Sequence, residues 1–242
     1  MKPQIVIEQN SGFHNNNPNT VSRLEQGRAY EDVSTICIVP TRGMIPAKVV
    51  QSWMGLMSPM NQKFIRIFMI GMEVGAAYTT AIDTILAHPD LRKWRYILTL
   101  EEDNMPPPDG LLKLIESIPG YGAVGALYWT KGEGGQPMIY GDPMVMPKNF
   151  VPQIPRPETV QECNGLGMGF TLFDLNMFRE LNEKSAFKPW FKTEQTFTPG
   201  VGSRVYTQDL YFFEHAAKFG YKFACDTRVK VGHYDVNADM IW

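Results

Sequence analysis

The sequence predicts an α/β fold in which a mostly parallel sheet is flanked by helices. Two observations favour this fold. From residue 34 onward, short apolar runs alternate with amphipathic stretches, and several of these runs are apolar at consecutive positions. Consecutive apolar positions are typical of strands buried on both faces, as in a parallel sheet covered by helices. The resulting βαβαβαβ order implies right-handed crossovers.

The predicted elements follow one another regularly along the chain. Apolar, largely β-branched runs predict strands over 34–39, 64–70, 96–100 and 121–129. Apolar residues at helical spacing predict the intervening helices over 45–58, over 74–87 and from Pro108 onward, where proline suits a first helical turn.

The C-terminal third adds further elements. A strand is predicted over 170–173 and a helix from about Thr207, ended by Gly220. The packing face of that helix is predicted to be Leu210, Phe213, Ala217 and Phe219. Strands over 221–225 and 229–231 follow, and the second runs into Gly232 and His233.

Composition bounds the class of protein. The 242 residues, 44% of them hydrophobic, suffice for one large core, so we expect a single domain over 34–242 preceded by an arm over 1–33. A formal net charge of −2 excludes a bulk electrostatic attraction to nucleic acid or membranes. Three separated cysteines without C-x-x-C spacing predict buried thiols in a reducing compartment. With no apolar run of about 18 residues, we expect a cytoplasmic protein without a membrane span.

Two polar segments follow predicted strands and should meet at one edge of the sheet. Pro40, Thr41 and Arg42 come after the first strand, and the acidic segment 101–103 comes after the third. In open α/β sheets, ligands bind beyond the carboxyl ends of the strands. We therefore expect the ligand site at this edge.

The acidic segment consists of Glu101, Glu102 and Asp103. Adjacent carboxylates repel one another unless a positive group neutralises them, and a hard divalent cation shared with a phosphate would do so. On an extended segment, Glu101 and Asp103 would point to the same side and converge on one ion, while Glu102 would point elsewhere. The alternative is a solvated acidic turn at the N-terminus of the next helix.

His233 is the histidine that follows both a strand and a glycine, a setting that exposes a ring nitrogen to a cleft. Such a histidine is either structural or, beside an acidic strand end, a third metal ligand. Imidazole suits manganese-like ions when carboxylates supply the remaining charge.

Taken together, these segments resemble the GT-A fold glycosyltransferases, especially compact family-2-like enzymes common in phages and bacteria. The resemblance covers residues 34–236 and rests on Pro40-Thr41-Arg42, Glu101-x-Asp103 with its trailing prolines, Gly167-Met-Gly-Phe170, Gln208-Asp209 and Gly232-His233. It implies a Rossmann-like, mostly parallel sheet with a small antiparallel portion on the acceptor side. The nucleotide-sugar-binding half would be 34–130 and the acceptor half 131–242.

The resemblance also implies the reaction and its donor site. A sugar would pass from a nucleoside-diphosphate sugar, with UDP-sugars favoured, to an acceptor hydroxyl. The metal, Mn²⁺ or Mg²⁺, would be held by Glu101, Asp103 and His233, with Glu101-x-Asp103 in the place of the family's DxD motif. The donor would be contacted by Pro40, Thr41, Arg42 and Glu102.

Asp209 matches the family's catalytic carboxylate. In inverting members it is a general base that takes the proton of the acceptor hydroxyl. In a retaining enzyme it would instead hold a sugar hydroxyl. The family usually has Glu-Asp at this point, whereas this chain has Gln208-Asp209.

The acceptor side is expected to include Gly167, Gly169 and Trp190. The glycines lack the G-x-G-x-x-G spacing of a dinucleotide site, and we expect them to let the backbone approach sugar and acceptor, a plain glycine-rich bend being the alternative. Trp190, like Trp129 and Phe191, either stacks on a sugar or base or belongs to the core. The loop 131–137 is expected to close over the donor.

Other functions and acceptors stay open. A sugar-nucleotide nucleotidyltransferase would need a glycine-rich, basic phosphate loop, which residues 40–43 lack, and a non-catalytic sugar-binding module is the other alternative. The acceptor is a saccharide or a hydroxymethylated pyrimidine in phage DNA, which would place the protein in the host cytoplasm. Against DNA stands the charge balance, and in its favour a predicted basic track of Lys184, Lys188, Lys192 and Arg204.

Overall fold

A computed structural model describes residues 3–7, 31–198 and 202–242. Most of the arm predicted over 1–33 therefore lies outside the described residues. No helix in the described ranges has the length and apolar character that a membrane span requires.

The described part of the chain contains fifteen strands and five α-helices. The strands are β1 Gln4–Ile7, β2 Thr35–Thr41, β3 Phe64–Ile70, β4 Tyr96–Leu100, β5 Asn104–Met105, β6 Ala123–Leu127, β7 Ile139–Tyr140, β8 Val160–Cys163, β9 Gly165–Leu166, β10 Phe170–Asp174, β11 Glu194–Thr198, β12 Gly202–Tyr206, β13 Phe223–Lys230, β14 Gly232–Asp235 and β15 Met240–Ile241. The helices are α1 Ala47–Met54, α2 Val74–Ala87, α3 Gly110–Ser117, α4 Leu175–Glu183 and α5 Gln208–Ala217.

A large sheet lies at the centre, with the strand order β1-β3-β2-β4-β10-β6-β13-β8. Strands β3, β2 and β4 are parallel to one another, and β6 is parallel to β13. Strands β1, β10 and β8 run antiparallel to their neighbours. A mostly parallel sheet flanked by helices confirms the predicted fold class.

The predicted fourth strand, observed as β6, is separated from β4 by β10. Thr171 of β10 pairs with both Thr99 and Gly125. Strand β10 is buried from Phe170 to Phe173, so it needs a strand on each side and cover on both faces. Its apolar run predicted a strand but did not fix its position.

Several boundaries also differ from the prediction. The helix predicted over 45–58 is limited to α1, which ends at Met54 and is followed by Gly55 as its C-cap. The strands predicted over 221–225 and 229–231 form the single strand β13, whose register shifts between Asp226 and Lys230. Strand β1, inside the predicted arm, pairs with β3 at the edge of the sheet.

Burial on both faces of the sheet explains the consecutive apolar residues of β2. Ile36 and Ile38 pack into the apolar cluster that includes α2, α4 and α5. Cys37 and Val39 pack on the opposite face, in the cluster that includes α1 and α3. Because both side-chain sets are buried, the middle of this strand is apolar, and its polar residues, Thr35 and Thr41, lie at its two ends.

The packing face predicted for the last helix is only partly observed. Phe213 is buried, whereas Phe219 lies beyond the end of α5 and is 40% exposed. Phe212 stacks on Phe191 with 4.8 Å between ring centroids, and Asp209 is buried. Phe187 and Phe191, which follow α4, pack against Phe212, so the buried part of the helix extends beyond the predicted face.

A small sheet joins the carboxyl ends of two distant strands. Its order is β15-β14-β5, in which Gly232 pairs with Met105 and His233 with Asn104. Val231 N also donates a hydrogen bond to Leu127 O at 2.9 Å. These bonds bring the segment after β13 against the segment after β4, which places His233 beside the acidic residues.

Candidate active site

The acidic segment is a turn and not an extended strand. Asn104 N donates to Glu101 O at 3.0 Å, which closes the turn, and Glu101 N donates to Gly169 O at 3.2 Å. The prediction that Glu101 and Asp103 point to the same side assumed an extended chain. That assumption is wrong, because these residues form a turn. Each of the three carboxylates instead has a different partner.

Glu102 holds the turn that follows β2. It accepts hydrogen bonds from Thr41 Oγ1 at 2.7 Å and from Arg42 N at 2.8 Å, and it forms an ion pair with Arg42 Nε. Its side chain is only 13% exposed, whereas that of Arg42 is 84% exposed. Glu102 therefore holds the Nε atom of Arg42, while the rest of the guanidinium is open to solvent. Pro40, the other predicted donor contact in this segment, lies in the buried strand β2.

Asp103 meets two basic side chains. Its Oδ2 lies 2.5 Å from Lys131 Nζ and 3.4 Å from His233 Nε2. Burial alone would raise the pKa of Asp103, but these two contacts outweigh it and hold the pKa below its usual value. Asp103 is therefore a carboxylate at neutral pH.

His233 is oriented by a backbone carbonyl. Its Nδ1 lies 2.7 Å from Trp129 O, and because a carbonyl only accepts hydrogen bonds, Nδ1 is the donor. A neutral ring then carries its lone pair at Nε2, which faces Asp103. The edge of the ring also contacts Tyr128, with 5.6 Å between centroids.

Asp103 and His233 have the spacing of two ligands on one metal ion. Ligands about 2.1 Å from a common ion lie about 3.0 Å apart at a right angle and about 3.4 Å apart at a tetrahedral angle. A histidine that donates its other N–H to a carbonyl is also typical of metal ligands. The two residues therefore fit a divalent metal.

The predicted set of three metal ligands is not assembled. In the part of the chain that the structure describes, no group of three His, Cys, Asp or Glu side chains is placed to hold a metal ion. Glu101 turns inward, where its Oε1 lies 3.4 Å from Tyr78 Oη. Asp103 and His233 would supply two protein ligands, and a bound diphosphate and water would have to complete the shell, as is common for Mg²⁺-type sites.

Glu101 avoids a third negative charge. Burial, with further contributions from the charges of Asp103 and Asp209, raises the pKa of Glu101 to about 8. A carboxyl with this pKa is mostly protonated at pH 7. Repulsion within the acidic segment is thus relieved by a proton on Glu101, by Arg42 at Glu102 and by Lys131 at Asp103.

Asp209 lies in the first turn of α5 and is 5% exposed. Burial raises its pKa, although Leu210 N donates to Oδ1 at 2.9 Å and favours the charged form. Its negative charge contributes to the raised pKa values of Glu101 and Tyr140. Asp209 and Glu101 are thus coupled electrostatically, each disfavouring the negative charge of the other.

The glycines of the predicted acceptor side are buried. A Cβ at Gly167 would come within 2.2 Å of Tyr128 Oη, and a Cβ at Gly169 within 2.7 Å of the Asn104 amide. Gly169 N donates to Tyr128 Oη at 2.9 Å. Close packing against Tyr128 and Asn104 therefore requires these glycines, a constraint that the spacing of the motif did not reveal.

Trp190 belongs to the core. It is fully buried, and its Nε1 donates to Asp83 Oδ1 at 2.8 Å. Phe191 is 2% exposed and stacks within the same aromatic cluster. Both rings are therefore core residues, which was the alternative to stacking on a sugar or base. We do not retain Trp190 in the acceptor site.

Half of the basic track predicted for DNA is paired with acidic side chains. Lys188 forms an ion pair with Asp83, and Lys192 pairs with Glu194 at 3.0 Å. The side chain of Arg204 lies outside the described part. Paired lysines offer less positive charge to nucleic-acid phosphates.

Sequence reasoning missed Lys131, Tyr128 and Tyr78 as members of the site. Lys131 lies in the loop expected to close over a donor, but no pattern pointed from that loop to Asp103. Tyr128 and Tyr78 are buried aromatic residues on a strand end and a helix, where an apolar role predicts the same residue types. Only their hydroxyl contacts in three dimensions distinguish them.

No protein-family model and no curated protein matches the sequence. Among solved structures, the chain is similar to the crystal structure of A197 from STIV, at 17% identity and a TM-score of 0.58, over 86% of this chain and 92% of that one. It is also similar to the crystal structure of GalNAc-T7 with UDP, GalNAc and Mn²⁺, at 11% identity and a TM-score of 0.53. That match covers 84% of this chain but only 44% of the GalNAc-T7 chain. At such identities the likeness concerns the fold, and the chain accordingly has a GT-A-like fold.

Proposed function

We propose that this chain is a metal-dependent glycosyltransferase that moves a sugar from a nucleoside-diphosphate sugar, a UDP-sugar in the first instance, to an acceptor hydroxyl. The observation that carries the proposal is the convergence of Asp103 Oδ2 and His233 Nε2, 3.4 Å apart, at the carboxyl edge of a GT-A-like sheet. GalNAc-T7, whose fold is similar, was crystallised with UDP, GalNAc and Mn²⁺, which supports the choice of donor and metal.

On the donor side, Asp103 and His233 would hold the metal. When bound, it would act as a Lewis acid on the diphosphate and stabilise the leaving group by several kcal/mol. Arg42, held at its Nε by Glu102, would offer its exposed guanidinium to a phosphate or the base of the donor. Glu102 acts through Arg42 and Thr41 and is a positioning residue.

On the acceptor side, Asp209 would act as the general base. Its burial raises its pKa, which makes the ionised carboxylate a stronger base than an exposed aspartate. Its place in the first turn of α5 favours the negative charge through the helix dipole. The carboxylate would take the proton of the acceptor hydroxyl as its oxygen attacks the anomeric carbon.

For the acceptor we propose a saccharide hydroxyl ahead of a modified base in DNA. The reason is that Lys188 and Lys192, half of the predicted basic track, are paired with acidic side chains. A DNA acceptor would predict binding that weakens steeply with salt. Mass spectrometry of oligosaccharides and hydroxymethylated DNA after reaction with the best donor would separate the two.

The test of the reaction class is nucleoside-diphosphate release. The full chain is incubated with Mn²⁺ and a panel of UDP-sugars, and UDP is measured with and without EDTA. We expect slow UDP release that EDTA and Asp103→Asn abolish and that Asp90→Asn, at an exposed ion pair with Lys93, leaves unchanged. Turnover that depends on pyrophosphate would support a nucleotidyltransferase, and binding of sugar without UDP release would support a non-catalytic module; either result would overturn the proposal.

A further inference from the structure

We propose that Lys131 and the divalent cation compete for Asp103, so that Lys131 is the internal counter-ion of the site until the metal binds. The inference rests on the proposed metal-dependent function. It concerns a residue to which the sequence resemblance assigns no role.

The competition follows from a shared oxygen atom. Lys131 Nζ lies 2.5 Å from Asp103 Oδ2, the same oxygen that lies 3.4 Å from His233 Nε2. An ammonium at that distance occupies the same carboxylate oxygen that a metal ligated by both residues would need. The two cations would also repel each other, so one must leave when the other binds.

The segment that carries Lys131 also prepares the histidine. Trp129 O fixes Nδ1 of His233 as the donor, which leaves the lone pair of a neutral ring at Nε2 facing Asp103. When the ring is neutral, these two electron-rich atoms face each other, and a cation beside them stabilises that arrangement. Residues 129–131 thus have two roles: Trp129 O orients the His233 ring, and the Lys131 ammonium provides a positive charge at Asp103 until the metal binds.

The backbone around Lys131 limits how far the ammonium can move. Thr130 N donates to Gln136 O at 2.9 Å, and Gln136 N donates to Thr130 Oγ1 at 2.8 Å, so the base of the loop is closed. At its tip, Gly132 and Gly134 have φ of 98° and 75°, which glycine adopts without strain. Displacement would therefore involve the Lys131 side chain and the tip, and the ammonium would stay at the edge where a diphosphate would lie.

The experiment measures metal binding directly. Mn²⁺ is titrated into the full chain without nucleotide, and free Mn²⁺ is followed by electron paramagnetic resonance for the wild type, Lys131→Met, Lys131→Arg and Lys93→Met. We expect Lys131→Met to bind Mn²⁺ at least fivefold more tightly, because its competitor is gone. Lys131→Arg, which keeps the charge, and Lys93→Met, which removes an exposed lysine paired with Asp90, should stay near the wild type.

Trypsin cleavage gives a second readout. Cleavage after Lys131 should accelerate in the wild type when Mn²⁺ is added, because the side chain is released from Asp103. Equal or weaker Mn²⁺ binding by Lys131→Met would overturn the competition while leaving a metal site in place. Absence of Mn²⁺ binding in all four proteins, with or without UDP, would overturn the proposed metal-dependent function as well.

Discussion

Asp103 and His233 are joined through their main chains as well as their side chains. His233 pairs with Asn104 in the ladder between β14 and β5, and Tyr234 N donates to Asp103 O at 2.8 Å. Side-chain atoms Oδ2 and Nε2 then lie 3.4 Å apart. Because backbone hydrogen bonds set this spacing, the two side chains are preorganised before any ligand binds.

Substitution of His233 by alanine is expected to weaken Mn²⁺ binding by about 10- to 100-fold, because one of the two protein ligands is lost. Isothermal titration calorimetry with Mn²⁺ checks this. His88→Ala is the matched control, since the His88 ring accepts hydrogen bonds from Asp90 N and Leu91 N away from the site. An unchanged Mn²⁺ affinity in His233→Ala would show that the imidazole is structural.

Glu102→Gln should loosen the turn after β2. The charged acceptor that Thr41 Oγ1, Arg42 N and Arg42 Nε share would be lost, and we expect about 1–2 kcal/mol less free energy of unfolding and a several-fold weaker affinity for UDP. Chemical denaturation and UDP titration measure the two effects. Glu183→Gln, at an exposed position of α4, controls for the loss of one charge; a similar effect there would refute the positioning role.

The fold was predictable where local signals and burial agree. Helix α2 begins and ends as predicted because Glu73 accepts a hydrogen bond from Ala76 N at 2.8 Å and because His88, followed by Pro89, leaves the helical conformation. The position of β10 was not predictable, because a fully buried strand can be inserted anywhere within a sheet. Its pairing with β4 and β6 is a long-range choice.

The candidate site was predictable at the level of strand ends. Asp103 and His233 follow β4 and β13, and parallel strand ends meet at one edge. The inward position of Glu101 was not predictable, because it depends on a turn closed by Asn104 N. The contact of Lys131 with Asp103 depends on a loop that folds back on itself, and no residue pattern records that closure.

Gly169→Ala should destabilise the protein by about 1–3 kcal/mol, because its Cβ would lie 2.7 Å from the Asn104 amide and from Tyr128 Cζ, both buried. Gly55→Ala is the matched control: the nearest atom to its Cβ is Ser52 O at 3.4 Å, and we expect a change within about 0.5 kcal/mol. Denaturant unfolding of both variants checks the difference. Equal stabilities would mean that the packing beneath the site can relax.

The buried carboxylate of Asp226 should make stability depend on pH. Burial alone would raise its pKa, but hydrogen bonds from Arg228 and Ser117 hold the pKa below its usual value. Such a group stabilises the folded state above its unfolded pKa of about 3.9, and the contribution is lost as pH falls through the lower folded value.

Asp226→Asn should therefore lower the free energy of unfolding by about 1–3 kcal/mol at pH 7, since it removes the charged partner of Arg228. The difference between wild type and variant should shrink as the pH falls below about 4. Urea unfolding at a series of pH values measures it. A difference that stays constant from pH 7 to pH 3 would contradict the ionised state of Asp226.

Asp209→Asn separates binding from chemistry. The amide keeps the size of the side chain but cannot accept the proton of an acceptor hydroxyl, so we expect the rate of sugar transfer to fall by about 10²- to 10⁴-fold. Mn²⁺ and UDP affinities should stay within about twofold, because Asp209 contacts neither Asp103 nor His233 among the hydrogen bonds of the described residues. Asp103→Asn, in contrast, should lose metal binding and transfer together. A loss of transfer below about tenfold in Asp209→Asn, with a raised KM for donor, would assign Asp209 to holding a sugar hydroxyl and would remove it as the base.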